Sequence, residues 1–347
     1  MTTLLTRATL LTVLLSTAPL SAQTAEDRLA TVDASIVVGE RQGDETEIIG
    51  LVEDGYVGEE VFALVDSRMQ RLRLYDFQGN LLHGTGGSGR GPGEFYVLAA
   101  VTLLEGDRPL VFDQGNRRLS LYSNDLSLVE EFSVPGLFSD FCSMDGRVFL
   151  QGIHEGMTIH ELSLETGELV QSFGDLPELD LRASPGLVES ALQSRSDAAL
   201  VCDAENAQVI EVHRSTPRVT AFTVDGRERW TTELDDYREV GFQVTDRGGL
   251  AIVPDPETES QHFLAATSPF DDNLLVVQHA VLDFENREID EGDLTTWVLD
   301  RESGTIIERN QDMPRLLHAA SGTRLFGSNL PWPQVRLVRS TPEKHQQ

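Results

Sequence analysis

The sequence has a single lysine, and this shortage of positive charge limits what the chain can bind. Lys344 is that lysine, so arginine supplies the other positive side chains. Asp and Glu number 57 against 27 Lys and Arg, which gives a formal net charge of -30. A field of that sign repels polyphosphate and anionic membrane surfaces, so we expect no nucleic-acid partner.

The sequence also lacks an apolar run long enough to span a bilayer. Arg7, the short apolar run at 8–15 and the small residues up to Ala22 have the pattern of an export signal, which we expect to be cleaved near Ala22. We therefore predict a signal peptide at 1–22, one folded domain at 23–340 and a disordered tail at 341–347. The expected location is the periplasm or the extracellular space.

Cysteine is scarce, since Cys142 and Cys202 are the only two. Their spacing fits no metal-binding or redox motif. Export permits a disulfide, but nothing in the sequence shows that the two side chains approach each other. We expect two separately buried thiols.

Helical periodicity is almost absent, and a repeat of short strands runs along the chain instead. An apolar strand ending in Asp recurs at Asp66, Asp113 and Asp203, separated by 47 and then 90 residues. The two spacings correspond to one period and then two, as in propeller blades. Three further copies carry another residue at the Asp position: Gln151, Gln278 and Gly327.

Each unit holds four short strands, A to D, with Gly, Asn or Asp in the connecting turns. The sequence predicts an all-β fold, a single six-bladed β-propeller of four-stranded antiparallel blades. The last unit lacks strand D, and the β-branched run at 34–38 supplies it, closing the ring. Seven blades is the minor alternative, because residues 235–260 contain two further apolar runs. We interpret residues 187–193 as strand A of the fourth blade.

Two stretches of the chain resemble a known repeat. Residues 89–95, GRGPGEF, and residues 111–122, VFDQGNRRLSLY, resemble the NHL-type repeat and, more closely, the exported bacterial six-bladed β-propeller proteins. The resemblance implies a ring-shaped scaffold. It does not imply one reaction, because related propellers include binding modules, hydrolases and lyases.

Antiparallel strands place the B–C and D–A connections at one end of the ring. We expect the two longest inserts to lie at that end: the acidic stretch at 283–293 and the D–A segment at 235–261. Inserts that share one face of a repeat ring are typical of a binding face.

The glycine cluster at 84–95 matches the dinucleotide fingerprint G-x-G-x-x-G. A dinucleotide loop must open a helix, whereas the residues that follow, 96–104, have the pattern of a strand. We interpret the cluster as the crossing from one blade to the next, with Phe95 packed between the blades.

The repeated acidic residues Asp66, Asp113 and Asp203 are candidate metal ligands. We favour a structural role, in which each carboxylate accepts hydrogen bonds from its own B–C turn. No cofactor is firmly predicted. Calcium is the one that the acidic stretch at 283–293 would admit, although a solvated charge run explains it better.

These observations favour an exported, monomeric, non-catalytic scaffold that binds a protein, peptide or glycan on the face bearing the B–C and D–A loops. The alternative is a metal-dependent hydrolase or lyase of the lactonase-like propeller type, with its site in the central pore. The candidate ligand-binding residues are Arg68, Arg90, Glu94, Asn116, Arg117, His279 and Trp332.

Overall fold

The computed structural model describes residues 32–39, 43, 48–253, 260–270, 273–283, 288–310, 315–320, 324–329 and 334–340. The chain in these ranges forms four-stranded antiparallel sheets. Five of the sheets, blades I to V, each consist of four strands in chain order, A to D. The fold is therefore an all-β propeller, as predicted. The ends of the chain, 1–22 and 341–347, lie outside the described residues.

Strand β1 (Val32–Val38) precedes the first blade. Blade I contains β2 (Val52–Val57), β3 (Val61–Asp66), β4 (Arg71–Asp76) and β5 (Leu81–Gly86). Blade II contains β6 (Leu98–Leu104), β7 (Arg108–Asp113), β8 (Arg118–Tyr122) and β9 (Leu128–Ser133). Blade III contains β10 (Asp140–Met144), β11 (Arg147–His154), β12 (Met157–Leu162) and β13 (Leu169–Asp175).

Helix α1 (Pro185–Arg195) separates blades III and IV. Blade IV contains β14 (Ala198–Asp203), β15 (Gln208–His213), β16 (Arg218–Thr223) and β17 (Glu228–Glu233). A hairpin of β18 (Gly241–Val244) and β19 (Leu250–Val253) follows. Blade V contains β20 (Ser260–Phe270), β21 (Leu274–Asp283), β22 (Glu288–Asp300) and β23 (Ile306–Asn310).

The last three strands form a sheet with the first. Strands β24 (Arg315–Ala320), β25 (Arg324–Asn329) and β26 (Gln334–Ser340) are consecutive, and β1 pairs antiparallel with β26. Val38 lies opposite Val335 and Val32 opposite Ser340. The two ends of the described chain are therefore hydrogen-bonded into one sheet.

The A strands pack side by side around a central channel. Contacts join β2 to β6, β6 to β10, β10 to β14, β14 to β20, β20 to β24 and β24 to β2. Because the strands of a blade alternate in direction, the B–C and D–A connections lie at one end of the channel. We call this end the loop face, and the opposite end, with the A–B and C–D turns, the turn face.

The hydrophobic core lies between neighbouring blades. Phe95 illustrates it, because its ring is fully buried and belongs to one cluster with Ala63 and Leu72 of blade I and Val111 of blade II. The prediction that Phe95 packs between blades is confirmed. Burial of a side chain of this size contributes about 2–3 kcal/mol, so each such contact fixes one blade against the next.

Helix α1 corrects the prediction that residues 187–193 form a strand. Pro185 occupies its first turn, where the missing N–H costs nothing. Its C-terminal carbonyl groups are held by donors from blades III and IV. The Ser215 hydroxyl lies 3.4 Å from the Ser194 oxygen, the His213 ring 3.3 Å from the Arg195 oxygen, and the Gln151 amide donates to the Ser196 oxygen.

Because the helix occupies the segment expected to form strand A, the strands of blade IV hold different places in the sheet from those predicted. The strand that ends at Asp203 is β14, the A strand, rather than strand B as predicted. The B–C connection of this blade is accordingly a short turn at 214–217. A local pattern of apolar residues followed by Asp recurs in both strands, so it does not reveal a strand's place in the sheet.

The inserts near blade V also differ from the predicted loops. In the described part of 235–260, β18 and β19 pair only with each other, so this stretch provides a hairpin rather than a four-stranded blade. The acidic stretch extends strands β21 and β22, which pair from Asp283–Glu288 onward. Among the described residues, no helix has the length and apolar character needed to cross a membrane.

The two cysteines form a disulfide, which corrects the expectation of separate thiols. Cys142 and Cys202 lie on the neighbouring A strands β10 and β14, with their Cα atoms 5.5 Å apart. The bond closes a segment of 60 residues and joins blade III directly to blade IV. Loop closure of that size corresponds to about 4 kcal/mol in the chain-entropy model.

We expect the double substitution Cys142→Ser and Cys202→Ser to lower the free energy of unfolding by about 2–4 kcal/mol. Urea unfolding with and without reductant measures the effect. Reduced wild type should match the variant, and the variant should not respond to reductant. Equal stability of oxidised wild type and variant would contradict this role.

Candidate functional site

The central channel is the first candidate site. It encloses a cavity of about 540 Å³ lined by the A strands of blades I to V. The lining runs through residues 51–57, 99–102, 140–143 and 199–202, together with positions in 263–269. The disulfide lies in its wall.

Two carboxylates in the channel wall bridge adjacent blades. Asp54 of blade I accepts a hydrogen bond from the Val101 N–H of blade II at 2.8 Å. Asp140 of blade III accepts one from the Leu200 N–H of blade IV at 3.0 Å. Each carboxylate thus has a structural partner on the next A strand.

Burial raises the pKa of both carboxyl groups. The pKa of Asp54 reaches about 7, with the negative charge of Asp140 adding to the burial effect. The pKa of Asp140 reaches about 6, where Arg214 acts in the opposite direction. Both groups therefore change charge near neutral pH.

Arg214 is a positive group in the channel wall. Its guanidinium lies 3.8 Å from Asp140 and 3.4 Å from Asp197. Its backbone joins blade IV to blade V, because its carbonyl oxygen accepts from the Leu264 N–H at 2.8 Å. The channel mouth thus holds a paired cation rather than an open anion site.

Among the described residues, no group of three His, Cys, Asp or Glu side chains is placed to hold a metal ion. Asp66, Asp113 and Asp203 do not converge. Residues 284–287 of the acidic stretch lie outside the described residues, so calcium there stays a prediction.

Asp66, buried beneath the loop face, holds the residues that precede strand A of blade I. Its buried carboxylate accepts the N–H groups of Gly50 at 2.8 Å and Leu51 at 3.1 Å, which precede strand A. It also accepts the Met69 N–H from its own B–C turn at 3.0 Å. Arg73 lies 3.6 Å away and balances the charge.

Asp113 repeats this arrangement in blade II. It accepts the N–H groups of Tyr96 at 3.2 Å and Val97 at 3.1 Å from the D–A connection. Asn116 donates to it from the B–C turn through its backbone at 3.1 Å and its side chain at 2.6 Å. The geometry supports the structural role expected for these two residues, and each carboxylate ties a D–A connection to a B–C turn.

Asp203 lies at the opposite end of the ring, on the turn face, because it ends strand A. Its carboxylate accepts from Gln208 Nε2 at 3.0 Å and pairs with Arg301 at 3.1 Å. Arg301 belongs to the C–D turn of blade V, so this ion pair joins blades IV and V.

His279 is fully buried within blade V, so it does not reach the loop-face surface. Its Nδ1 lies 3.3 Å from the Tyr237 hydroxyl, and its ring packs 5.7 Å from that of Trp297. Burial lowers the pKa of His279 well below its ordinary value. The ring is therefore neutral and part of the core.

The glycine cluster spans the gap between the B–C turns of blades I and II. The Gly87 N–H donates to the Gln70 oxygen of blade I at 2.8 Å. Asn116 of blade II donates its side-chain amide to the Gly89 oxygen at 3.1 Å. A Cβ at Gly86, whose φ is +113°, would lie 2.5 Å from the Gln70 oxygen, so glycine is required there.

The remaining candidate residues divide into exposed and anchored groups. Arg68, Arg90 and Arg117 are exposed on the loop face. Glu94 is also exposed, but its carboxylate folds back to accept the Gly91 N–H at 2.8 Å. Asn116 serves the hydrogen bonds described above, and Trp332 lies outside the described residues.

Sequence reasoning missed three features of the site. Asp54 and Asp140 bridge the A strands, and no local pattern marks them, because Asp54 follows Glu53 and Asp140 begins its strand. Tyr96 follows the glycine cluster and is 53% exposed, and the Arg90 guanidinium lies 4.9 Å from the centre of its ring. Arg90 and Tyr96 come together because the D–A connection between blades I and II crosses beside the B–C turn of blade II.

Comparison with solved structures supports the propeller fold. The structure is similar to a DUF4221-family protein from Bacteroides vulgatus, with 10% identity, a TM-score of 0.56 and coverage of 89% of this chain and 97% of that one. It is also similar to a Bacteroides fragilis protein described as exported, with 9% identity, a TM-score of 0.58 and coverage of 91% and 96%. No family model matches the chain, and no curated protein matches it in sequence. At such identities the likeness shows the fold alone.

We expect Asp113→Asn to lower the free energy of unfolding by about 2–4 kcal/mol, because it removes the buried charged acceptor of several N–H groups and the negative charge 3.8 Å from Arg118. Glu130→Gln, an exposed change on strand D of the same blade, is the matched control and should cost little. Urea unfolding of both variants measures the difference. A loss of less than about 0.5 kcal/mol for Asp113→Asn would contradict the proposed anchoring.

Asp54→Asn should stabilise the chain increasingly as pH rises. The folded chain holds the Asp54 proton up to about pH 7, whereas the ordinary pKa is 3.8, so ionisation between these values costs folding free energy in wild type. Asn keeps an acceptor for Val101 and cannot ionise. Relative to wild type, its free energy of unfolding should rise by about 3–4 kcal/mol between pH 4 and pH 8, since one pKa unit corresponds to about 1.4 kcal/mol.

Asp125→Asn is the control for this pH profile. The pKa of this exposed carboxyl is lowered to about 2 by the Ser123 hydroxyl, so the variant should show no such gain toward pH 8. A flat difference between Asp54→Asn and wild type over this range would show that Asp54 ionises normally.

Proposed function

We propose that the chain is an exported propeller scaffold that binds a protein, peptide or glycan through the loop face and catalyses no reaction. The observation that carries the proposal is the concentration of additional structure at this end of the ring. Helix α1, the β18–β19 hairpin and the extended strands of blade V all enlarge the loop face. An ion pair between Arg195 and Glu239 links the helix to the segment before the hairpin.

The distribution of exposed apolar side chains supports the same face. On the described chain, large exposed hydrophobic residues occur in two places. Four lie on the outer D strands: Leu82, Val129, Val170 and Ile307. Six lie on the loop face: Leu51, Tyr96, Val97, Leu137, Met157 and Ile252. Exposed apolar groups gathered at one end of a rigid ring are typical of an interaction surface.

The proposal includes a monomeric, six-bladed ring in which β1 completes the last blade. The pairing of β1 with β26 and the contacts of β24 with both β20 and β2 support that closure. A closed ring gives the loop face a fixed geometry, because each A strand packs against a neighbour on both sides.

Export is also part of the proposal. The disulfide between A strands favours an oxidising compartment, and one of the structurally similar proteins is described as exported. The negative charge and the N-terminal signal pattern fit the periplasm or the extracellular space.

The alternative of a lactonase-like pore enzyme has no specific observation in its favour. Asp54 and Asp140 are buried carboxyl groups of the channel wall, and each accepts a hydrogen bond from the backbone of the next blade. A hydrolytic metal site would need further ligands that the described channel wall does not place beside them.

Site-specific photo-crosslinking tests the face assignment. A photoreactive residue is placed at exposed positions in cells that export the chain, and adducts are detected by mass spectrometry. The loop-face positions are Tyr96, Leu137 and Ile252. The control positions, exposed in C–D turns of the turn face, are Asn124, Thr166 and Glu302.

We expect discrete adducts from the loop-face positions and none from the controls, because a partner bound at one end of the ring leaves the other end in water. Adducts of equal yield from both faces, or from the turn face alone, would show that the binding face has been assigned wrongly.

A further inference from the structure

Three arginines occupy the blade I and II side of the loop face. Arg68 lies in the B–C turn of blade I, Arg117 in that of blade II and Arg90 in the glycine cluster between them. Over the described ranges, no carboxylate forms an ion pair with any of the three. By contrast, Arg118 in the same blade is paired with Glu131 at 2.8 Å. In a chain with 57 acidic residues, three such arginines on neighbouring loops give this part of the loop face a local positive charge.

Hydrogen bonds join the three loop segments that carry these arginines. The glycine cluster is bonded to Gln70 on one side and to Asn116 on the other, at 2.8 and 3.1 Å. Arg68 is two residues from Gln70, and Arg117 adjoins Asn116. Arg90 adjoins Gly89, which accepts the second of these bonds. Each arginine therefore stands within two residues of a bond to the same loop.

The loop between the arginines is held in a fixed conformation. Arg118 donates to the Gly91 oxygen at 2.9 Å and also to the Glu94 oxygen. The Glu94 side chain closes the turn on the Gly91 N–H. A surface whose backbone is already ordered loses little conformational entropy on binding.

Apolar side chains adjoin the arginines. A Cβ on Gly115 would lie 2.6 Å from the Tyr96 ring and 2.8 Å from the Val97 side chain, so both residues pack over the turn that carries Arg117. Leu51 holds the equivalent place in blade I, beside the turn that carries Arg68. All three of these apolar residues are more than 40% exposed.

We infer that this surface binds a carboxylate-rich peptide segment that also carries an apolar side chain. The arginine patch is defined as Arg68, Arg90, Arg117, Leu51, Tyr96 and Val97. The inference rests on the proposed function and names the chemistry of its partner. Guanidinium groups bind carboxylates through paired, charge-assisted hydrogen bonds, which suits Asp and Glu side chains.

The net charge of the chain does not oppose a local contact of this kind. Screening at physiological salt reduces charge interactions beyond about 8 Å, so an acidic segment at the arginine patch responds mainly to the three guanidinium groups. An acidic glycan fits less well. Arg90 already covers one face of the Tyr96 ring, and the aliphatic Leu51 and Val97 offer sugar hydroxyls no hydrogen bonds.

The test measures binding of a defined probe by fluorescence anisotropy. The probe is a labelled twelve-residue peptide with four glutamates and two phenylalanines among glycine and serine, in about 0.15 M salt. The matched peptide carries glutamine in place of glutamate. The protein variant combines Arg68→Gln, Arg90→Gln and Arg117→Gln. Arg227→Gln, an exposed change in a C–D turn of the turn face, is the control.

We expect the glutamate peptide to bind wild type about tenfold more tightly than the triple variant and to bind the Arg227→Gln variant as it binds wild type. The glutamine peptide should bind all three weakly. Equal binding of the two peptides, an unaffected triple variant, or tighter binding of polygalacturonate than of the glutamate peptide would overturn the inference.

Crosslinking from Ile252, outside the patch, separates this failure from failure of the proposed function. If wild type gives loop-face adducts but does not prefer the glutamate peptide, the partner chemistry is wrong and the binding face stands. If the loop-face positions give no adducts, the proposed function fails as well.

Discussion

The loop face depends on two buried carboxylates. Asp66 and Asp113 each collect two backbone N–H groups from the connection that enters a blade and at least one from the turn between strands B and C. Hydrogen bonds to a charged acceptor contribute about 1.5–3 kcal/mol each, and without the acceptor these donors would lie unsatisfied above the core. The same interaction therefore ends one blade, starts the next and fixes the surface between them.

This arrangement explains why the glycine cluster is needed. It resembles a phosphate loop in sequence, but strand β6 follows it and no helix terminus is available for an anion. Its glycines allow the chain to cross between blades close to the Gln70 backbone, and its ends are tied to both B–C turns. As a result Arg90 and Tyr96, which the sequence places six residues apart, form one side of an ordered surface.

Much of the fold could be predicted from the repeat, because the carboxylate arrangement leaves a visible pattern at Asp66 and Asp113. The pattern misled at Asp203, where the same apolar run and Asp end strand A rather than strand B. Helix α1 was missed because it is short and half-exposed, and donors from blades III and IV hold its C-terminal end. Of the candidate site, the exposed arginines were predicted, whereas the disulfide and the bridges from Asp54 and Asp140 depend on strand neighbours that no local pattern specifies.

Amide hydrogen exchange with and without the crosslinked partner shows whether the ordered loop face is the binding surface. We expect slow exchange in the free chain at the hydrogen-bonded amides of residues 50, 51, 87, 89, 91 and 94–97, with further protection when the partner is bound. The C–D turns of the turn face should exchange at the same rate in both states. Rapid exchange at those amides in the free chain, or partner-induced protection confined to the turn face, would contradict the assignment of the loop face as an ordered binding surface.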